Sequence, residues 1–206
     1  MITDLPSSFK HTVISDGILS ACSQSPSKVA YKHGQKTRTY HELKQRIDSI
    51  SGIIHSFQIP MKCNIAIVAS NSIEYMEIVL AASKLGHPIA TVNPKLTAND
   101  IVSICEDAEA KLVFVDQKVS SLLVGRNIRG AQEIIGIDNE METLIAQTEC
   151  PSQLPTIKEK ETFTIPYTSG TTGKPKGVLV PHRSRALTLY GTVSYTHLTL
   201  PTKRIV

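Results

Sequence analysis

"CNIAIVASNSIEYMEIVLAASKLGHPIATV", Cys63 to Val92, joins two short apolar runs through a stretch with helical spacing. The first run, Cys63 to Ser70, is continuously apolar, as expected of a strand covered on both faces. Asn71 with Glu74 three residues on has the form of a capping box, in which a side-chain oxygen takes a first-turn N–H and the carboxylate returns to the cap. That pattern opens a helix through Ile73, Met76, Val79, Leu80 and Leu85, which Gly86 can close. Pro88 to Val92 then begins a second strand.

The alternation extends in both directions. Downstream, Thr97 with Asp100 caps a helix carrying Ile101, Ile104 and Ala108, and "KLVFV" at Lys111 to Val115 is a third strand. A helix around Val119 to Val124, a strand at Glu133 to Ile137 and a helix around Glu140 to Ala146 follow. Upstream, Leu43, Ile47, Ile50, Ile54 and Phe57 fall on one helical stripe, with Thr39 and Glu42 as a capping box that starts the helix near Tyr40. Before it, Val29 to Tyr31 and Arg38 to Tyr40 flank His33-Gly34-Gln35 as a small hairpin. Repeated strand and helix order implies an α/β fold, a mainly parallel sheet flanked by helices on both faces.

Composition narrows the partners. The 206 residues carry a net charge of +4, spread over single lysines and arginines, and no basic block interleaved with aromatics points to nucleic acid. Cys22, Cys63, Cys105 and Cys150 are scattered without a C-x-x-C pair, as in reduced, cytoplasmic proteins, and none of the histidines stands in metal-ligand spacing. No apolar run is long enough for a signal peptide or a membrane span.

A polar connection, "TECPSQLPTIKEKE", leads to a strand at Thr162 to Tyr167 and then to "YTSGTTGKPKG", Tyr167 to Gly177. Gly177 to Val180 resumes an extended apolar pattern, so this loop joins strand to strand. Gly170, Gly173 and Gly177 let the backbone turn its N–H groups inward; Thr168, Ser169, Thr171 and Thr172 add hydroxyls, and Lys174 and Lys176 add charge. The loop is built for an anion. It is not the G-x-x-x-x-G-K-[ST] nucleotide loop: two residues separate Gly170 from Gly173, and Pro175, with neither hydroxyl nor N–H, follows Lys174. A hydrolase of that kind is therefore disfavoured.

"YTSGTTGKPKGV" resembles the signature of the AMP-forming adenylating enzymes, among them acyl-CoA synthetases, luciferases and peptide synthetase adenylation domains. "TYHELKQRID", "VLAASKLGHPIATVNP" and "AEAKLVFV" resemble further segments of that family, so the likeness runs from about Lys28 to about Gly191. It implies a ligase that joins a small-molecule carboxylate to the α-phosphate of Mg-ATP and passes the acyl group to a thiol, commonly that of coenzyme A. It also implies that Thr168, Ser169, Gly170, Thr171, Thr172, Gly173, Lys174, Lys176 and Gly177 hold the ATP phosphates. The resemblance makes Lys176 the expected catalytic charge contact, Lys174 the more variable position, and His182 an expected structural residue. Asn93-Pro94 leans toward a stand-alone acyl-CoA synthetase over an amino-acid adenylation domain.

Family members continue far beyond this length. The residues that hold Mg2+ and the ribose have no counterpart here, and we expect a partial domain over residues 1–191 that is inactive alone. From Thr192, "TVSYTHLTLPTKRIV" shows neither helical period nor family pattern and reads as a tail of foreign origin, residues 192–206. A short nucleotide-binding module without chemistry is the reading from another class.

Overall fold

The computed structural model describes residues 12–146, 148, 150–168 and 175–197. Its centre is a sheet of five parallel strands in the order β6-β5-β3-β4-β7: Glu133–Gly136, Leu112–Val115, Ile65–Val68, Ile89–Val92 and Thr162–Thr168. Every residue of β3 and β5 is buried. That follows from their unbroken apolar sequences, since a strand between two helical layers has no wet face.

The strands' two-residue period divides the core. Ile65, Ile67, Ile89, Leu112 and Phe114 face a layer that includes α2 (Tyr40–Ser56) and α3 (Ile73–Lys84). Ala66, Val68, Ala90, Val113 and Val115 face α4 (Ala98–Asp107) and α5 (Gln117–Leu122). Chain direction accounts for the two layers, because β3 to β4 moves one way across the sheet and β4 to β5 moves back past β3.

A separate hairpin, β1 (Val29–His33) and β2 (Lys36–Thr39), lies against α2 and α3. His33 pairs with Lys36, and Gly34 takes the positive φ of 59° that the tight turn between them needs. The capping box of α2 is formed as expected: Glu42 N–H donates to Thr39 Oγ1 at 3.2 Å, and Thr39 N–H to Glu42 Oε2 at 2.7 Å. Thr97 caps α4, accepting from Asp100 N–H at 3.2 Å.

Charge fastens α2 to α3. The fully buried Glu77 accepts from Arg38 Nε at 3.2 Å and Arg46 Nε at 2.9 Å. Arg46 also forms a two-pronged pair with Glu142 of α6 (Asn139–Ile145), at 2.6 and 2.7 Å.

Several boundaries differ from expectation. The cap of α3 is Ser72, not Asn71: its extended backbone (φ −149°, ψ 175°) places Oγ 3.1 Å from Tyr75 N–H. Glu74 instead accepts from Lys36 Nζ at 2.6 Å. The α5 helix begins and ends two residues before the expected span, because Asp116 caps it. The extended run after the loop is broken into β8 (Lys176–Gly177) and β9 (Val180–Pro181), both antiparallel to β7. Helix α7 (His182–His197) continues past Thr192, where the sequence loses helical period.

Besides α7, one more helix was not foreseen, α1 (Ile14–Gln24). Its N-cap, Val13, offers no side-chain acceptor.

Candidate functional site

Parallel strands bring all their carboxyl ends to one edge of a sheet. Ligands of doubly wound folds settle there, at the point where the strand order reverses. In this sheet that point lies between β3 and β5. A carboxylate occupies it: Asp116 Oδ2 accepts from Ser70 N–H at 2.9 Å, and Oδ1 accepts from Val119 N–H at 3.0 Å. Both oxygens of Asp116 thus hold backbone of this chain.

The anion loop lies elsewhere along that edge, at the end of β7. Thr168 pairs with Lys176 and Tyr167 with Gly177, so Ser169 to Pro175 connect two antiparallel strands, as the extended pattern on either side implied. Residues directly opposite in such a ladder project to the same face, so the Thr168 and Lys176 side chains leave the hairpin base on one side. Both residues are exposed, and among the described residues Lys176 has no acidic partner. Ser169, Gly170, Thr171, Thr172, Gly173 and Lys174 lie outside the described residues.

Gly177 has a steric reason to be glycine. A Cβ there would come within 2.9 Å of Ile165 Cγ2 and within 3.1 Å of Tyr167 Cζ. The Tyr167 ring lies beside Gly177, in the space a side chain there would need, while Gly177 itself stays exposed. Its hydroxyl, in turn, donates to Asp107 Oδ2, 2.7 Å away at the end of α4. Burial, and then that hydrogen bond, push the Tyr167 phenol well above its ordinary range. Asp107 was not legible as a partner, since sixty residues separate it from Tyr167 and no motif includes it.

His182, directly after β9, is 1% exposed and stacks at a tilt on Phe163, ring centroids 5.1 Å apart. Its Nδ1 accepts from Ile14 N–H at 3.3 Å. The imidazole thereby serves as the missing cap of α1, and burial lowers its pKa to about 4. This is the structural role expected of it.

A family model described as "AMP-binding enzyme" matches residues 19–205. The medium-chain-fatty-acid–CoA ligase of Ectopseudomonas oleovorans is 29% identical in an alignment of 171 positions that covers 75% of this chain and 31% of that protein. Tyrocidine synthase 3 of Brevibacillus parabrevis is 27% identical over 175 residues, 85% of this chain and 3% of that protein. A Mycobacterium tuberculosis fatty acyl CoA synthetase shares the fold, with a TM-score of 0.75 at 20% identity over 83% of this chain and 35% of that one. The chain therefore spans about a third of the length of the two single-function relatives and a small fraction of the synthase. With a parallel sheet, a glycine- and hydroxyl-rich hairpin at its carboxyl edge and a family match over nearly all its length, the chain belongs to the AMP-binding enzyme family.

Proposed function

We propose that this chain carries the N-terminal sheet and the triphosphate-holding hairpin of an ATP-dependent acyl-CoA ligase. One observation supports this above others: the rung between Thr168 and Lys176 closes the loop as a hairpin and puts a hydroxyl residue and a lysine, without an acidic partner among the described residues, on one face of its base. In the reaction a carboxylate oxygen bonds to the α-phosphorus of ATP as the bond to pyrophosphate breaks, and the thiol of coenzyme A then displaces AMP from the acyl carbon. Charge builds on the leaving pyrophosphate. Lys176 offsets it, and Thr168 with Ser169, Gly170, Thr171, Thr172, Gly173, Lys174 and Gly177 orients the phosphates by hydroxyl and N–H donors.

Magnesium enters with ATP, and no residue of this chain is assigned to it. Among the described residues no group of three or more His, Cys, Asp and Glu side chains could hold a metal ion. No helix among them is long and apolar enough to cross a membrane, and a cytoplasmic location is part of the proposal.

Calorimetric titration with ATP tests the reading. Lys176→Ala should weaken binding by about tenfold or more, as loss of a charge-assisted phosphate contact does, and Lys174→Ala should weaken it less. Equal affinities for the unaltered chain and Lys176→Ala would overturn it. A second reading, an amino-acid adenylation domain, is favoured by the likeness to tyrocidine synthase 3. Amino-acid-dependent exchange of pyrophosphate into ATP by the longer protein, without exchange on fatty acids, would select it.

A further inference from the structure

The phosphate hairpin has a narrow footing. Two rungs, Tyr167 with Gly177 and Thr168 with Lys176, join the two-residue β8 to β7, and behind them Val178 N–H donates to Pro166 O at 3.0 Å. Such a short ladder does not fix the hairpin's angle to the sheet by itself. A second constraint comes from α4, whose terminal Asp107 accepts from the Tyr167 hydroxyl at 2.7 Å. The same Tyr167 ring lies beside Gly177, so one side chain touches both strands of the hairpin and the helix beside it. On the same face, Ile165 lies next to Tyr167 against Gly177 and is itself part of the core shared with Ile101 and Cys105 of α4.

From this geometry we infer that Tyr167 and Asp107 are positioning residues for the nucleotide: the hydrogen bond between them holds the base of the hairpin at the angle in which Thr168 and Lys176 meet the phosphates. The inference rests on the nucleotide reading given above. It adds to it a pair whose members act through the backbone and touch no phosphate. Asp107 faces Tyr167, not the ladder face that carries Thr168 and Lys176, since alternate residues of β7 project to opposite sides.

The test compares ATP affinity, by calorimetry at low temperature where every variant is folded, in five forms of the chain: unaltered, Lys176→Ala, Tyr167→Phe, Asp107→Ala and Asp107→Asn. Tyr167→Phe keeps the ring beside Gly177 and removes only the donor. We expect it and Asp107→Ala to weaken ATP binding by roughly tenfold, the equivalent of one hydrogen bond to a charged group. Asp107→Asn, which keeps an acceptor oxygen, should recover most of that loss, an outcome that a general loosening of the fold does not produce. Amide exchange at Lys176 and Val178, read without nucleotide, should rise in Tyr167→Phe and Asp107→Ala and return in Asp107→Asn.

If the unaltered chain binds ATP in a Lys176-dependent way but Tyr167→Phe binds as well, the positioning role is overturned and the nucleotide reading stands. If Asp107→Asn fails to recover binding while circular dichroism shows it folded, the role is likewise overturned. An unaltered chain that binds no ATP removes the nucleotide reading and this inference together, and the absence of any Lys176 effect identifies that case.

Discussion

The imidazole Nδ1 of His182 accepts the backbone N–H of Ile14 at 3.3 Å, joining the start of the last helix to the start of the first. An unprotonated Nδ1 is required, so protonation at this site opposes the fold. Burial lowers the His182 pKa from the ordinary 6.5 to about 4. Because the folded value lies below the unfolded one, the contribution is complete above about pH 6.5 and is lost as the pH falls toward 4. The buried His87, also lowered by burial, adds a slope of the same sign. We expect unfolding free energy from urea titrations to drop across that window by at most about 3 kcal/mol from His182. His182→Leu should be less stable at neutral pH yet flatter between pH 6.5 and 4; an unchanged slope would contradict the assignment.

Gly177 lies where a methyl group does not fit. With Ile165 Cγ2 at 2.9 Å and the Tyr167 ring at 3.1 Å from an added Cβ, Gly177→Ala should cost about 1–3 kcal/mol by overpacking. Combined with Ile165→Ala, the loss should be clearly less than the sum of the two single losses. A stability equal to that of the unaltered chain would show that β8 shifts freely.

The buried carboxylate of Glu77 is the riskiest group to remove. Glu77→Gln leaves two arginines, 13% and 21% exposed, without the charge that holds them, and the expected loss is about 3–5 kcal/mol. Glu142 is 49% exposed, so Glu142→Gln should cost less than about 1 kcal/mol although its pair with Arg46 is shorter. Equal losses in thermal melts would refute this ranking by burial.

Alanine substitution separates the two candidate caps of α3. Ser72→Ala should destabilise by about 1 kcal/mol, whereas Asn71→Ala should change little. The reverse order in chemical denaturation would return the cap to Asn71.

Sequence period was sufficient for most of the fold because the strands between Ile65 and Val115 are continuous apolar runs and the helices between them carry local caps. Thr39 and Thr97 were readable for the same reason: each meets its partner three residues away. Asn71 misled because it too stands three residues before an acid, whereas the cap is Ser72, and Glu74 bonds to Ser72 and to Lys36 of the distant hairpin. Helix α1 was invisible, since its cap comes from His182 at the other end of the chain. The hairpin's glycines, hydroxyls and lysines were plain in the sequence. What fastens it to α4, the bond from Tyr167 to Asp107, was not, because it depends on how two faces of the sheet are dressed.

The carboxylate set between the two central strands has an electrostatic consequence for the whole rim. Asp116 follows β5, and Asp138 with Glu140 follows β6, whereas Lys95 follows β4 and Lys176 opens β8. Strand order therefore puts Asp116, Asp138 and Glu140 toward one end of the edge and Lys176 at the other, with Lys118 and Asp100 of opposite sign between them. Attraction of an anion to that margin falls to Lys176, and it should fade as salt is raised.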